Sequence, residues 1–249
     1  MFTARDIIIF CIGLALALSV CLMIGWILGA RRQGKLIRRD ANRATLNAQA
    51  RLRQVDGDFV LVAGDSTVAH LVLSPIADLP VIEVALLGLT SGEFHPRITQ
   101  ILSGRRPRIT VLSIGANDAL QKGASEATRT NFKENLRKIA NAVEGREATF
   151  ILSLPRIDTA APDYAHGAAA MESLNRDANA FARAHRWIYV DGAQICDAAD
   201  HRGEPMSVDG LHLTPDASRE IAQALRRRIA AVMDMNSKKP APADRPFQA

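Results

Sequence analysis

The chain is predicted to hold an α/β domain built on a parallel sheet covered on both faces, behind an N-terminal transmembrane helix. Three observations predict this. An uncharged apolar run fills residues 7–30. Five brief β-branched or aromatic runs then alternate with longer amphipathic stretches between residue 59 and about residue 231. The residues with chemistry to offer fall just after the first three of those runs, where the ligand crevice of an open α/β sheet lies.

At 249 residues the chain has room for one good-sized domain plus an extension, and too little for two. Apolar residues at 48% and charged residues at 23% exclude a disordered chain.

The elements follow in order. Residues 7–30 exceed the roughly 20 apolar residues that span a bilayer, and also the apolar core of about 7–15 residues in a cleaved signal peptide. The run stops at Gly29-Ala30-Arg31-Arg32, so an uncleaved anchor over residues 1–30 is expected. Between Arg31 and Arg53 stand eight basic residues against the single acid Asp40. That excess is larger than the +5 of the whole chain, so the rest is slightly acidic, and a nucleic-acid partner is not expected. The flank carrying Arg31, Arg32, Lys35, Arg38 and Arg39 outweighs the one carrying Arg5, which predicts a single-pass inner-membrane protein with its C-terminal body on the cytoplasmic side. The same cluster suits anionic lipid headgroups. Residues 31–56 lack proline and read as a basic helical stalk.

A catalytic domain is expected over residues 57–234, with strands at 59–63, 81–86, 109–114, 149–154 and 187–190. Helices are expected at 68–73, 93–102, 128–143 and 168–184, and a last one from Pro215 to about residue 233, with Thr214 as its N-cap. Residues 235–249 are polar and proline-rich and read as a disordered tail. Cys11 and Cys21 lie within the apolar run, and Cys196 reads as a small buried apolar residue, so no disulfide framework is expected.

Three separated stretches carry chemistry. Gly64-Asp65-Ser66 ends the first strand and presents a serine hydroxyl. Gly115-Ala116-Asn117-Asp118 ends the third and presents a side-chain amide able to donate to an oxyanion. Asp209-Gly210-Leu211-His212 sets a carboxylate three residues before a histidine, a spacing that lets a loop bring the two together. Nucleophile, oxyanion donor and oriented base are the parts of acyl transfer. The ordinary alternatives are a helix-capping serine for Ser66, and turn residues for the other two stretches. Among the other histidines, His201 is the rival base because Asp197 and Asp200 lie near it. No residue pair has metal-site spacing, so neither metal nor cofactor is expected.

These blocks resemble the SGNH hydrolases, also called the GDSL esterase/lipase family, over roughly residues 59–228. The resemblance implies a flavodoxin-like three-layer α/β/α sandwich with five parallel strands. It maps the family's marker residues onto Ser66, Gly88, Asn117 and His212. It makes Ser66 the nucleophile and His212 the base oriented by Asp209. The oxyanion hole would come from the Ser66 and Gly88 N–H groups and the Asn117 amide. Around Gly88 the sequence Leu86-Leu87-Gly88-Leu89-Thr90 is more apolar than the family pattern, and Gly92 is the alternative. Asp65 is expected to fix the turn.

The function implied is a membrane-anchored serine ester hydrolase working through an acyl-enzyme, with a small-molecule, carbohydrate or lipid ester as substrate. The bilayer partner engages residues 7–30. The anchor favours a lipid-borne or cell-envelope substrate such as O-acetyl groups of a polysaccharide, for which a body outside the cytoplasm is the alternative location. An O-acyltransferase on the same residues, and an inert anchored binding module, are the alternative functions.

Overall fold

The computed structural model describes residues 4–237, except 70, 72, 74, 75, 77 and 201–205; at 4–18, 20, 26–28, 30, 31, 196, 199, 200 and 237 it describes the backbone alone. The burial expected for Cys196, the rival base His201 and most of the tail lie outside the described residues. So do most side chains of the expected anchor. Among the described residues no helix is long and apolar enough to cross a membrane.

Two compact units divide the chain at Asn42 and Arg43. The first consists of helix α1 (Ala4–Arg53) as far as Asn42. The second begins with the last turns of α1 and contains the sheet. In those turns Thr45, Ala48 and Leu52 are buried, a spacing that puts them on one helical face. Gln49 Nε2 donates to the carbonyl of Gln100 (3.0 Å) and Arg105 Nη1 to that of Leu52 (2.6 Å), which fixes this end of the helix to the body.

Five parallel strands form the sheet in the order β2-β1-β3-β4-β5. They are β1 (Val60–Gly64), β2 (Val81–Ala85), β3 (Ile109–Ser113), β4 (Ala148–Leu152) and β5 (Ile188–Val190). All five lie within a residue or two of their expected places. Burial follows position: β1 and β3 are buried at every residue, whereas edge strand β2 alternates. One face carries Val60, Val62, Ile109, Val111, Phe150 and Leu152, which pack with Ile221, Leu225 and Ile229 of α7 (Pro215–Ser237). Strand alternation sends Leu61, Ala63 and Leu112 to the other face. The remaining helices are α2 (Ser91–Leu102), α3 (Ala116–Lys122), α4 (Glu126–Val143), α5 (Ala168–Ala184) and α6 (Gly192–Asp200). Thus a three-layer α/β arrangement on a five-stranded parallel sheet is present.

Three local readings are corrected. The helix expected at 68–73 is not formed by the described residues of that stretch; a 3-10 turn (Ser66–Val68) ends at Ala69 instead, where the Asp65 side chain takes the Thr67 N–H. Helices α3 and α6 have no counterpart among the expected elements. Both are short, and α3 opens with Ala-Asn-Asp after a glycine, composition that looks like a turn until tertiary contacts decide.

Candidate active site

The strand order reverses direction between β1 and β3, which is where the crevice of a doubly wound sheet opens. Ser66 follows β1 and Asn117 follows β3, so both stand at that point. The strands meet closely there. A Cβ on Gly64 would lie 1.8 Å from the Ser113 carbonyl oxygen, so no larger residue fits. Thr67 Oγ1 adds a bond to Ser113 Oγ (2.9 Å).

Asp65 is fully buried and binds three backbone N–H groups. Its Oδ1 accepts from Thr67 N (3.0 Å); its Oδ2 accepts from Gly115 N (3.2 Å) and Ala116 N (3.1 Å). The carboxylate therefore ties the Ser66 turn to the start of α3. Burial pushes the Asp65 carboxyl above its ordinary range, opposed by the bonds from Thr67, Gly115 and Ala116. Asp118 performs a second tie. It is also fully buried, and accepts from Ser91 N (2.6 Å) and Ser91 Oγ (3.0 Å) at the start of α2. The fixing role expected of Asp65 is present; that of Asp118 has no local signal, since its partner is 27 residues away.

Asn117 lies between these two fastened points. Its Nδ2 is buried and has no hydrogen-bond acceptor among the described residues. A buried donor left unpaired costs about 1–3 kcal/mol, a cost that a ligand oxygen would remove. Gly88 lies in the turn after β2 at φ +72°, a left-handed conformation that favours glycine. Leu86 N donates to the Gly64 carbonyl (2.9 Å), and Gln121 Nε2 of α3 donates to the Gly88 carbonyl (3.3 Å). The β2 turn is thereby held beside the ends of β1 and α3. Gly92, the alternative, lies inside α2, where an added Cβ would meet Asn135 Nδ2 at 3.2 Å.

The third stretch precedes α7. Asp209 Oδ1 accepts from Leu211 N (3.0 Å) and His212 N (2.8 Å), while Oδ2 lies 2.7 Å from His212 Nδ1. Because a carboxylate can only accept, Nδ1 donates and Nε2 is the nitrogen left to take a proton. Burial pushes the Asp209 carboxyl up, but the bonds from the His212 ring and from the His212 and Leu211 amides outweigh it and hold it below the usual range. Gly210, at φ +92°, turns the chain tightly enough that a Cβ would lie 2.3 Å from Ala161 Cβ. Val208 N donates to the His212 carbonyl (2.9 Å), closing the loop. Thr214 Oγ1 accepts from Ala217 N (3.2 Å), the N-cap expected there.

A neighbouring segment walls this loop. Asp158 N donates to the Gly210 carbonyl (2.9 Å), and the Tyr164 ring stands edge-on to His212 with centroids 6.1 Å apart. Burial, with Asp209 and Asp163 nearby, pushes the Tyr164 phenol up, so it stays a neutral donor. His166 Nε2 bonds the Leu120 carbonyl of α3 (3.0 Å), joining the same segment to the Asn117 helix. Ala69, which closes the Ser66 turn, and Leu213, next to His212, line one cavity, so the two segments face a shared space.

The profile of the GDSL-like lipase/acylhydrolase family matches residues 62–220, more than half of the chain. Among solved structures, a G-D-S-L lipolytic protein from Veillonella parvula is 15% identical, with a TM-score of 0.58 over 70% of this chain and 99% of its own. A lipase/acylhydrolase from Enterococcus faecalis is 21% identical, with a TM-score of 0.57 over 70% of this chain and 96% of its own. A carbohydrate acetylesterase from Sinorhizobium meliloti is 13% identical, with a TM-score of 0.54 over 71% and 100%. At these identities the likeness to solved structures shows the fold. No curated protein matches the chain.

Proposed function

Because this chain belongs to the GDSL-like lipase/acylhydrolase family and is a hydrolase of ester bonds, we propose that Ser66 is its nucleophile, with His212 as base and Asp209 as the group that orients it. The observation that carries this reading is the 2.7 Å contact between Asp209 and His212, which commits Nδ1 and leaves Nε2 to accept. Ser66 Oγ bonds to the ester carbonyl carbon while its proton passes to Nε2. The carbonyl oxygen becomes an oxyanion, received by the Asn117 amide and by the Ser66 and Gly88 N–H groups. One such donor is worth about 2.7–4 kcal/mol in the transition state. Collapse breaks the bond to the alcohol, which leaves with the proton from His212. Water repeats the cycle on the acyl-serine, releasing the acid and restoring Ser66.

The substrate class in this reading is a carboxylic ester of envelope carbohydrate or of lipid. The S. meliloti acetylesterase supports the first, and the apolar run at 7–30 supports a substrate held at a membrane. The same run is read as an inner-membrane anchor with the body on the cytoplasmic side, supported by the basic residues that follow it.

The test is a serine-directed fluorophosphonate applied to the full chain in detergent, followed by mapping of the adduct. A single phosphonylated peptide containing Ser66, formed more slowly when excess p-nitrophenyl acetate is present during labelling, is expected. Labelling elsewhere, or none on a folded chain, would remove Ser66 from the mechanism.

A further inference from the structure

The His212 ring is fixed by its own loop at one atom, Nδ1, which donates to Asp209 Oδ2 at 2.7 Å. One such bond leaves the ring room to tilt, because the outer torsion of a histidine has broad wells and this side chain is 30% exposed. A second contact comes from outside the loop. Tyr164 stands edge-on to the imidazole, with 87° between the planes and 6.1 Å between centroids. That lies inside the range of roughly 4.5–7 Å for a T-shaped aromatic pair.

Tyr164 is itself held from two directions. Its carbonyl accepts from Gly167 N (2.8 Å), which opens a 3-10 turn (Ala165–Gly167). In that turn His166 Nε2 donates to the Leu120 carbonyl (3.0 Å), three residues beyond Asn117 on α3. Gly167 is buried so closely against the same leucine that a Cβ would lie 2.7 Å from Leu120 Cδ2. Upstream, Asp158 N donates to the Gly210 carbonyl (2.9 Å), and Asp158 Oδ1 accepts from Ala160 N (2.9 Å). Residues 158–167 thus run from the loop of the base to the helix of the oxyanion donor. Tyr164 stands between the two attachments.

We propose that Tyr164 is a positioning residue, whose ring keeps the His212 imidazole in the plane where Nδ1 meets Asp209 and Nε2 is presented for the serine proton. This rests on the serine-esterase reading and adds a residue to it. Tyr164 acts through the base and not on the substrate. The aromatic ring is the working part; the phenol, pushed up by burial and by Asp209 and Asp163, stays neutral and sets no charge beside the imidazole.

The experiment measures kcat and KM for p-nitrophenyl acetate in the full chain, Tyr164→Ala and Tyr164→Phe, beside thermal melts. NMR shifts of the His212 ring nitrogens, identified by their loss in His212→Ala, report which nitrogen carries the proton in the neutral ring. Tyr164 is half-buried, so both variants should fold. Tyr164→Ala is expected to lower kcat about threefold to tenfold with KM unchanged, the worth of one aromatic pair. Its ring should populate both tautomers where the unmodified chain holds the proton on Nδ1. Tyr164→Phe, which keeps the ring, should restore both kcat and the tautomer. A phenylalanine variant as slow as the alanine one would give the role to the hydroxyl and overturn the proposal. So would a raised KM at unchanged kcat, the mark of a substrate contact. If the unmodified chain hydrolyses no ester while the tautomer responds as expected, the esterase reading falls and the hold on His212 stands. If hydrolysis depends on Ser66 but Tyr164→Ala keeps both kcat and tautomer, the positioning role falls and the esterase reading stands.

Discussion

Ser66→Ala should reduce p-nitrophenyl acetate turnover by on the order of 10⁵–10⁶-fold, or to the assay floor, with the fold unchanged. The size of the effect comes from removing the only group proposed to bond the substrate; the oxyanion donors alone sustain a small residue of catalysis. The fold survives because the turn is held by other atoms. Asp65 takes the Thr67 N–H, and the Ser66 carbonyl, which alanine keeps, accepts from Ala69 N at 3.2 Å. The measurement is kcat/KM beside a thermal melt. A variant within about tenfold of wild type would mean that another residue attacks.

Asp209→Asn carries the second-largest effect, a loss of about 10³–10⁴-fold in kcat. Asparagine keeps an oxygen where Oδ1 accepts from Leu211 N and His212 N, so the loop can close as before. The second position changes sign. If an NH₂ group stands where Oδ2 is, it donates to Nδ1, which drives the ring proton to Nε2 and leaves no lone pair for the serine proton. Acid stability should change as well. Held below the ordinary range, the Asp209 carboxylate contributes stability that is fully present above the pKa of an unfolded aspartate and is lost as pH falls through its lower folded value. The asparagine variant lacks that contribution, so its stability should depend less steeply on pH below about 4. Because the Asp209 side chain is 39% exposed, the difference will be small beside the loss of turnover. Near-normal kcat in the Asp209→Asn variant would take Asp209 out of the mechanism.

The legible parts of this protein are those determined locally. The interior strands announce themselves because burial on both faces demands apolar, β-branched runs such as Val60-Leu61-Val62-Ala63. The Asp209–His212 pair is legible because three residues in one loop suffice to make it. Gly88 is legible only through the family resemblance, since nothing in Leu-Leu-Gly-Leu requires φ +72°. The failures are non-local. Val68 and Leu71 look like the apolar face of a helix, yet both are buried in the cluster beneath α7, with Val68 ending a 3-10 turn and Leu71 in irregular chain beyond it. Asp118 looks like a turn residue, and its work of holding Ser91 depends on how α2 and α3 come together. A charged side chain that fastens distant segments has no signature in its own neighbourhood.

The docked end of α1 bears on how the chain can be shortened. Composition invites a cut near residue 56, where the basic stretch gives way to the first strand. Such a cut would uncover the surfaces that Thr45, Ala48 and Leu52 fill, and remove the guanidinium of Arg51 from the Glu83 carbonyl on edge strand β2. An exposed edge strand is a template for pairing with another copy. A chain trimmed at residue 56 would therefore be prone to self-association through β2, whereas one trimmed at Arg43 keeps its edge guarded.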